Sequence, residues 1–374
     1  MRRTYKYRLY TNRYNDELVG QIHAAASIWN HSLALTRRYY QRYGISIGSY
    51  RLMKHIARLR RQNASWQRLG SQAVQDIIQR LYKAYDRFFK DPKRVGRPGF
   101  KKRLGYTSFT LKQAGWAYLG QGRIRIGSRV HRFVESRPVS GHIKTVTIKR
   151  DRAGRLWLCL SVLEAASKTA PHEEVTHPVG LDFGLKMFLT FPDGSGLRSP
   201  RFFEQNINAY RKAHRCLSSK NKGSINRRKA RIKLAKVASR TADQRRDWFF
   251  KRAHDLCDHY DLIAVEDLNL RGMEQLWGRK VSDYGFGEFV LILEWVCLKR
   301  GVAFQKVERF YASSKTCNAC GGVNTGLRLS DRFWRCGCGA SHDRDQNAAL
   351  NIRDRALSLW LGNGRPGFRP AVAA

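Results

Sequence analysis

The apolar positions in the first part of the chain follow two different periods. Apolar residues recur at helical spacing from Asn15 to Gly44, from Tyr50 to Leu59 and from Ser71 to Phe89, which predicts three helices. An alternating segment, Tyr5 to Leu9, precedes them and is typical of a half-buried strand. The glycines and proline of Gly96 to Gly99 then end the helical pattern. We therefore expect a helical bundle inserted after a first strand.

Alternating segments replace the helical spacing after Gly99. They cover Ser108 to Lys112, Arg123 to Ile126, Ile143 to Lys149 and Leu156 to Val162. Such short strands need partners to bury their apolar face. These segments predict a small antiparallel sheet that includes the first strand and closes into a barrel.

Beyond the polar stretch Ala165 to His177, two apolar strands each end in an acidic residue. Val179 to Leu181 leads into Asp182, and Leu262 to Val265 leads into Glu266. The other predicted elements of this half are strands at Met187 to Phe191 and near Leu197, helical material from about Phe203 to Tyr260, a helix from about Phe289 to Lys299, a strand from Ala303 to Val307 and a last helix from about Gln346 to Leu361. The whole chain is therefore expected to be a multidomain α+β protein.

The charge of the chain indicates a polyanionic partner. The 71 Lys and Arg residues face 29 Asp and Glu residues, a formal net charge of +42, and 42% of the 374 residues are apolar, enough for about two to four compact units. Such an excess points to nucleic acid. A membrane partner is disfavoured, because no apolar run reaches the roughly 18 residues of a spanning helix. The start lacks the apolar run of a signal peptide, so we expect a cytosolic protein.

One helical stretch is especially basic and has almost no acidic neighbours. A solvated face would explain it, but without acidic partners we expect it to lie along phosphates. Its candidate nucleic-acid-binding residues are Arg227, Arg228, Lys229, Arg231, Lys233 and Lys236.

Four cysteines cluster near the end of the chain in a pattern typical of a metal site. Cys317 and Cys320 form a Cys-x-x-Cys knuckle, and Cys336 and Cys338 form a tighter Cys-Gly-Cys pair. In a reducing compartment such a cluster binds metal more often than it forms disulfides. We predict one structural Zn²⁺ on these thiolates, with His342 as an alternative ligand.

Three acidic residues are expected to converge although they are remote in sequence. Asp182 and Glu266 end strands, and Asp345 opens the last helix. Two-metal phosphodiester hydrolysis needs carboxylates that hold two Mg²⁺ ions about 4 Å apart. We predict these three as catalytic Mg²⁺ ligands. Asp343 is expected to cap the helix or support the site, Asn347 to position it, and Asp267 to point to the opposite side of its strand.

The chain also resembles a known family, the transposon-associated TnpB (OrfB) proteins, which are related to the type V CRISPR effector nucleases. The stretches that carry the resemblance are Tyr5 to Leu9, Gly96 to Lys101, Gly180 to Gly184, Val265 to Leu268, Ser313 to Cys317, and Cys338 through His342-Asp343-Arg344-Asp345 to Ile352. The resemblance implies a guide RNA made from the transposon end and cleavage of double-stranded target DNA next to a short adjacent motif. It puts the catalytic carboxylates on Asp182, Glu266 and Asp345.

The resemblance further implies a domain organisation. A wedge β-barrel would comprise 1–10 and 96–170, with a helical recognition lobe, 11–95, inserted in it. A RuvC-like nuclease domain of RNase H fold would comprise 177–312 and 340–361, with a zinc ribbon, 313–339, inserted, and 362–374 would be a flexible tail.

Two other classes of protein stay open. A non-enzymatic zinc-ribbon nucleic-acid-binding protein would explain the charge and the cysteines but not the three acids. A protein-only RuvC-type nuclease or transposase would explain the acids, but it needs neither the helical lobe nor the barrel.

Overall fold

The computed structural model of the protein describes residues 2–102, 105–164, 174–269, 272–273, 275, 278, 283–328 and 330–362. The chain forms two compact units, Met1–Ser167 and Lys168–Ala374. Most of the predicted linker, from 165 to 173, and the predicted tail from 363 onward lie outside the described residues. No helix in the described ranges has both the length and the apolar character that a bilayer crossing requires.

A seven-stranded antiparallel sheet forms the β part of the first unit, with the N-terminal strand near its centre. Its strands are β1 (Arg2–Leu9), β2 (Ser108–Leu111), β3 (Trp116–Gly120), β4 (Arg123–Ile126), β5 (Arg129–Val134), β6 (His142–Arg150) and β7 (Leu156–Leu163). They are arranged in the order β2-β6-β7-β1-β5-β4-β3. The prediction that the first strand joins the later ones is confirmed, because β1 pairs with both β5 and β7. Closure into a barrel stays a prediction.

The helices of this unit lie between β1 and β2 in sequence. They are α1 (Asn15–Tyr43), α2 (Ser49–Gln62), α3 (Ala64–Gln67) and α4 (Ser71–Lys90). The predicted end of α1 is confirmed at Gly44, whose φ of 67° suits glycine and whose N–H donates to the carbonyl of Tyr40. The short α3 was not predicted. Its first turn is capped by Asn63, whose side chain accepts from the N–H of Trp66.

The second unit contains a three-stranded parallel sheet. Its strands are β8 (Pro178–Leu181), β11 (Leu262–Glu266) and β12 (Ala303–Val307), in the order β12-β11-β8. The other elements are the strand pairs β9 (Leu189–Thr190) with β10 (Gly196–Leu197) and β13 (Phe333–Arg335) with β14 (Ser341–Asp343), and the helices α5 (Phe202–Ser218), α6 (Ile225–His259), α7 (Phe286–Arg300) and α8 (Arg344–Gly362).

The prediction of continuous helical material from about Phe203 to Tyr260 is wrong at one place. A turn separates α5 from α6, and Gly223 within it has a φ of 91°. Ser224 then caps α6 by accepting from the N–H of Arg227. Gly223 adopts a backbone conformation that ends one helix, and Ser224 begins the next, although the basic residues on both sides are typical of a single long helix.

Alternation along the parallel strands assigns their side chains to two apolar clusters. Ile263 and Val265 of β11 pack in the cluster that contains α6 and α7 residues. Leu262 and Ala264 pack in the cluster that contains Ile352 of α8. Because side chains alternate along a strand, the next residue, Glu266, belongs to the α8 side.

Gly180 allows α8 to approach β8 very closely. A Cβ at this position would lie 2.2 Å from the carbonyl oxygen of Ala349 and 2.4 Å from the backbone nitrogen of Arg353. Both atoms belong to helix backbone, so they cannot rotate away as a side-chain tip could. This contact fixes the distance between the strand that precedes Asp182 and the helix that begins beside Asp345.

Replacing Gly180 by Ala is expected to push α8 off the sheet and to lower the stability of this unit by about 1–3 kcal/mol. Thermal unfolding followed by circular dichroism measures the loss. Gly362→Ala is the matched control, because a Cβ at this other end of α8 meets open space. Equal melting temperatures for both variants would show that the close approach does not constrain the fold.

Candidate active site and metal centre

Asp182 and Glu266 lie side by side because their strands are parallel neighbours. Leu181 of β8 pairs with Val265 of β11, so the next residues of both strands come to the same edge of the sheet. Val179 and Leu181 pack in the α6–α7 cluster. Alternation then turns Asp182, like Glu266, to the α8 side. Asp182 is further held by a backbone bridge to Thr190.

Asp345 reaches this edge because α8 begins there. Asp343 caps the helix: its Oδ1 accepts from the N–H groups of Asp345, at 2.9 Å, and Gln346, at 3.0 Å. This capping role was one of the two expected for Asp343, and it leaves Asp345 in the first turn as the available carboxylate. Ala348 and Ala349 are buried against the sheet, as the sequence predicted.

The electrostatics of Asp182 show that the three carboxyl groups are close enough to interact. Burial, followed by the charges of Glu266 and Asp345, raises the pKa of Asp182 to about 8. Burial also raises the pKa of Glu266, although a hydrogen bond from Ser313 opposes the shift. A carboxyl group whose pKa is raised by neighbouring acids lies in a site where a bound cation would relieve the repulsion.

Two arginines contact the carboxylate cluster. Arg332 Nη1 forms an ion pair with Asp345 Oδ2, and Arg344 Nε lies 3.7 Å from Asp345 Oδ1. Their charges also lower the pKa of Asp182, against the stronger effects of burial and the neighbouring acids. Sequence reasoning missed Arg332, because nothing in its local sequence separates it from the many other arginines.

The carboxylate group suits Mg²⁺ by its chemistry. Mg²⁺ prefers oxygen ligands, typically one or two carboxylates with water and phosphate oxygens completing its shell. Asp267 follows Glu266 and therefore lies on the opposite face of the strand, where Arg309 Nη2 is 2.6 Å from its Oδ2. Asp182, Glu266 and Asp345 are therefore the residues that could hold divalent cations at this edge.

The four predicted cysteines lie together in the structure. Their Sγ atoms are all within 4.8 Å of one another. Cys317 and Cys338 are 3.8 Å apart, and Cys320 and Cys336 are 3.6 Å apart. A zinc ion with Zn–S bonds of about 2.3 Å at the centre of a tetrahedron needs S–S edges of about 3.8 Å. The cluster therefore fits Zn²⁺ despite the compact Cys-Gly-Cys spacing.

His342 is not one of these four, but it touches them. Its Nε2 lies 3.0 Å from Cys317 Sγ. Burial alone would raise the pKa of Cys317, but hydrogen bonds from the backbone of Cys320 and from His342 lower it to about 6, which favours the thiolate that a metal requires. Whether His342 ever replaces a cysteine on zinc stays a hypothesis.

The six predicted phosphate-binding residues all lie on the first half of α6. Arg228, Lys229, Arg231, Lys233 and Lys236 are exposed. Arg227 differs: its Nη1 donates to the carbonyls of Leu217 and Lys220, so it helps to hold the α5–α6 turn. The structure thus leaves five of the six side chains open to solvent.

Divalent-cation binding at the carboxylates should release a proton at neutral pH. The pKa of Asp182 is raised, so folding without a cation takes up a proton, and stability falls as pH rises from about 4 to 8. A cation reverses this by ionising Asp182. Calorimetric titration of Mg²⁺ in buffers of different ionisation enthalpy should show about one proton released at pH 7 and little at pH 9. The same release from Asp182→Asn would contradict this assignment.

Comparisons with known proteins agree with the arrangement. A family model described as "Probable transposase" (OrfB_IS605) matches residues 160–276, and one described as "Cas12f1-like, TNB domain" matches residues 286–352. The protein named "Putative RNA-guided DNA endonuclease" of Streptomyces pristinaespiralis is 31% identical over 99% of this chain and 92% of its own length. "Putative RNA-guided DNA endonuclease InsQ" of Escherichia coli (strain K12) is 29% identical over 75% of this chain and 73% of its own length.

The fold has a solved counterpart. A Cas12f1 chain from a cryo-EM structure of a complex with sgRNA and target DNA superposes with a TM-score of 0.60 and 15% sequence identity. The match covers 91% of this chain and 83% of that one, so the two share a Cas12f-like α+β fold. With the identity and coverage of the Streptomyces relative, this fold and the matched motifs lead to one conclusion: the chain belongs to the TnpB (OrfB) family.

Proposed function

We propose that the protein is an RNA-guided DNA endonuclease of an insertion-sequence element, which cleaves DNA next to a short adjacent motif. The observation that carries the proposal is the convergence of Asp182, Glu266 and Asp345 on one sheet edge, where the strands that precede Asp182 and contain Glu266 are parallel neighbours and the helix of Asp345 begins. The charges of Glu266 and Asp345 accordingly raise the pKa of Asp182. The names of the relatives, and the guide RNA and target DNA bound to the Cas12f1 counterpart, support the same activity.

Each carboxylate has a defined role in the proposed hydrolysis. Asp182, Glu266 and Asp345 would hold two Mg²⁺ ions, which when bound would supply activation of a water molecule and stabilisation of the leaving oxygen. Asp182 and Glu266 offer oxygen ligands from rigid strand ends, and Asp345 offers one from the first turn of α8. Ser313 donates to Glu266 Oε1 and so orients that carboxylate. The parallel strands and the helix packed on them support a RuvC-like nuclease domain of RNase H fold over 177–312 and 340–361.

The other parts are assigned to guide and target binding. We assign 1–10 and 96–170 to a wedge barrel, 11–95 to a recognition lobe, and 313–339 to a ribbon held by one structural Zn²⁺. A guide RNA from the transposon end and double-stranded target DNA would supply the phosphates for a chain of charge +42.

A non-enzymatic zinc-ribbon binding protein is the second candidate. The charge and the cysteine cluster fit it equally well. It gives no reason for three carboxyl groups to meet at one sheet edge, where Glu266 and Asp345 make the ionisation of Asp182 less favourable. A protein-only RuvC-type nuclease or transposase would explain the acids, and it predicts cleavage without RNA.

Asp182→Ala should abolish cutting and leave RNA binding intact, because the carboxylate holds metal and not the guide. The measurement is Mg²⁺-dependent cleavage of DNA matching the end of the co-purified RNA, with sequencing of that RNA. We expect a loss of at least about 100-fold, the cost of removing one strong electrostatic contact to a transition state. Asp267→Ala is the matched control, since that acid pairs with Arg309. Loss of both RNA and cutting would refute this division of roles.

Neutralising Arg231 and Lys236 together should weaken RNA binding and reduce its dependence on salt. Each phosphate that the variant no longer neutralises should lower the slope of log K against log salt by about 0.7–0.9. Binding measured between about 50 and 200 mM salt gives the slope. Lys251→Gln on the same helix is the control, because Lys251 is paired with Asp247 at 2.9 Å. If the control changes the slope as much as the double variant, only net charge matters.

A further inference from the structure

One short segment, Ser313 to Cys317, joins the two candidate metal sites. At one end, the hydroxyl of Ser313 donates to Glu266 Oε1. At the other end, Cys317 belongs to the cysteine cluster. Ser313 is 5% exposed and Cys317 is fully buried, so both ends of the segment are fixed inside the second unit.

Two buried amides of α8 hold this segment. Asn347 and Asn351, one turn apart, are 1% and 4% exposed. Asn347 Nδ2 donates to the carbonyl of Thr316 at 2.7 Å, and Asn351 Nδ2 donates to the carbonyls of Ser313 and Thr316, both at 2.7 Å. A buried amide is costly unless it is bonded, and these bonds go to the backbone of a single segment.

The same amides also accept from the residue that follows the first cysteine. The N–H of Asn318 donates to Asn347 Oδ1 at 3.0 Å, and Asn318 Nδ2 donates to Asn351 Oδ1 at 3.1 Å. Both the Ser313 end and the Cys317 end of the segment are therefore bonded to the helix that carries Asp345. A shift of the cysteine knuckle cannot occur without rupture of these bonds or movement of α8.

We propose that Asn347 and Asn351 are positioning residues that couple the cysteine cluster to the carboxylate edge. Zinc on the cysteines fixes Cys317, the two amides transmit that position along the segment, and Ser313 fixes Glu266. Filling one metal site then strengthens the other. The inference rests on the proposed function in one respect, that Glu266 helps to hold the divalent cation.

Coupling of this kind is reciprocal: if zinc tightens cation binding at the carboxylates, a cation there must tighten zinc by the same factor. The effect on zinc can be measured on the intact zinc-loaded protein. The probe is Mn²⁺ as a substitute for Mg²⁺, and the readout is the zinc retained after timed exposure to a zinc-selective chelator, determined by mass spectrometry of metal content. Saturating Mn²⁺ should raise zinc retention by about five-fold or more, the usual lower range for coupled sites.

Three variants and one control, Ser358→Ala, separate coupling from ordinary packing. Ser313→Ala cuts only the Glu266 end, so it should keep basal zinc retention and lose the effect of Mn²⁺, and Ser313→Thr should restore that effect. Asn351→Leu should lower both basal retention and the effect of Mn²⁺. Ser358→Ala, at an exposed position of the same helix, should match the unaltered protein.

The proposal is overturned if Mn²⁺ leaves zinc retention unchanged in the unaltered protein, or if Ser313→Ala keeps the full effect. Should Asn351→Leu fail to fold, the Ser313 pair still decides the question. No nucleic acid enters the experiment, so its result is distinct from that of the cleavage assay. If Mn²⁺ raises zinc retention but DNA is not cleaved, the nuclease assignment fails and the positioning role stands. If DNA is cleaved but Mn²⁺ does not affect zinc retention, the positioning role fails and the nuclease assignment stands.

Discussion

The backbone contact between Gly180 and α8 is the constraint on which the candidate site depends. Strand β8 supplies Asp182 two residues after this glycine, and α8 supplies Asp345 one turn before Ala349, whose carbonyl occupies the space of a missing side chain. The close approach of β8 and α8 thus brings Asp182 and Asp345 to the same site although they are far apart in sequence. Glu266 needs no such device, because parallel pairing with β8 brings it to the same edge.

Placing three acids together is costly without a cation, and the structure contains features that offset the cost. Ser313 donates to Glu266, and Arg332 and Arg344 lie beside Asp345. The same arginines lower the pKa of Asp182, but burial and the charges of Glu266 and Asp345 outweigh them and raise it to about 8. Under the proposed function, a divalent ion at this edge would compete with the proton that the raised pKa of Asp182 retains at neutral pH.

The sequence predicted those features that depend on local pattern. Strands ending at Asp182 and Glu266, the cap at Asp343 and the four-cysteine cluster follow from period, capping chemistry and spacing. It did not predict β3 and β5, because neither Trp116–Gly120 nor Arg129–Val134 alternates regularly between apolar and polar residues. Nor could it predict Ser313, Arg332 or Asn351 as site residues. Their partners are distant in sequence, and a single polar residue carries no local signal of what it will meet.

The anchoring of α6 has a consequence for how this protein tolerates changes in length. The helix is 35 residues long, about 52 Å, yet its residues in the apolar cluster all lie from Trp248 onward. Its basic first half packs mainly along α5, as one arm of a hairpin whose tip is the Gly223 turn. Removing seven residues, about two turns, from both arms together would keep every side chain within about 20° of its original face. The α5–α6 hairpin is therefore a place where the chain could be shortened. Such a deletion would remove basic residues and shorten the positively charged arm, while the apolar cluster that holds the second half of α6 would stay intact.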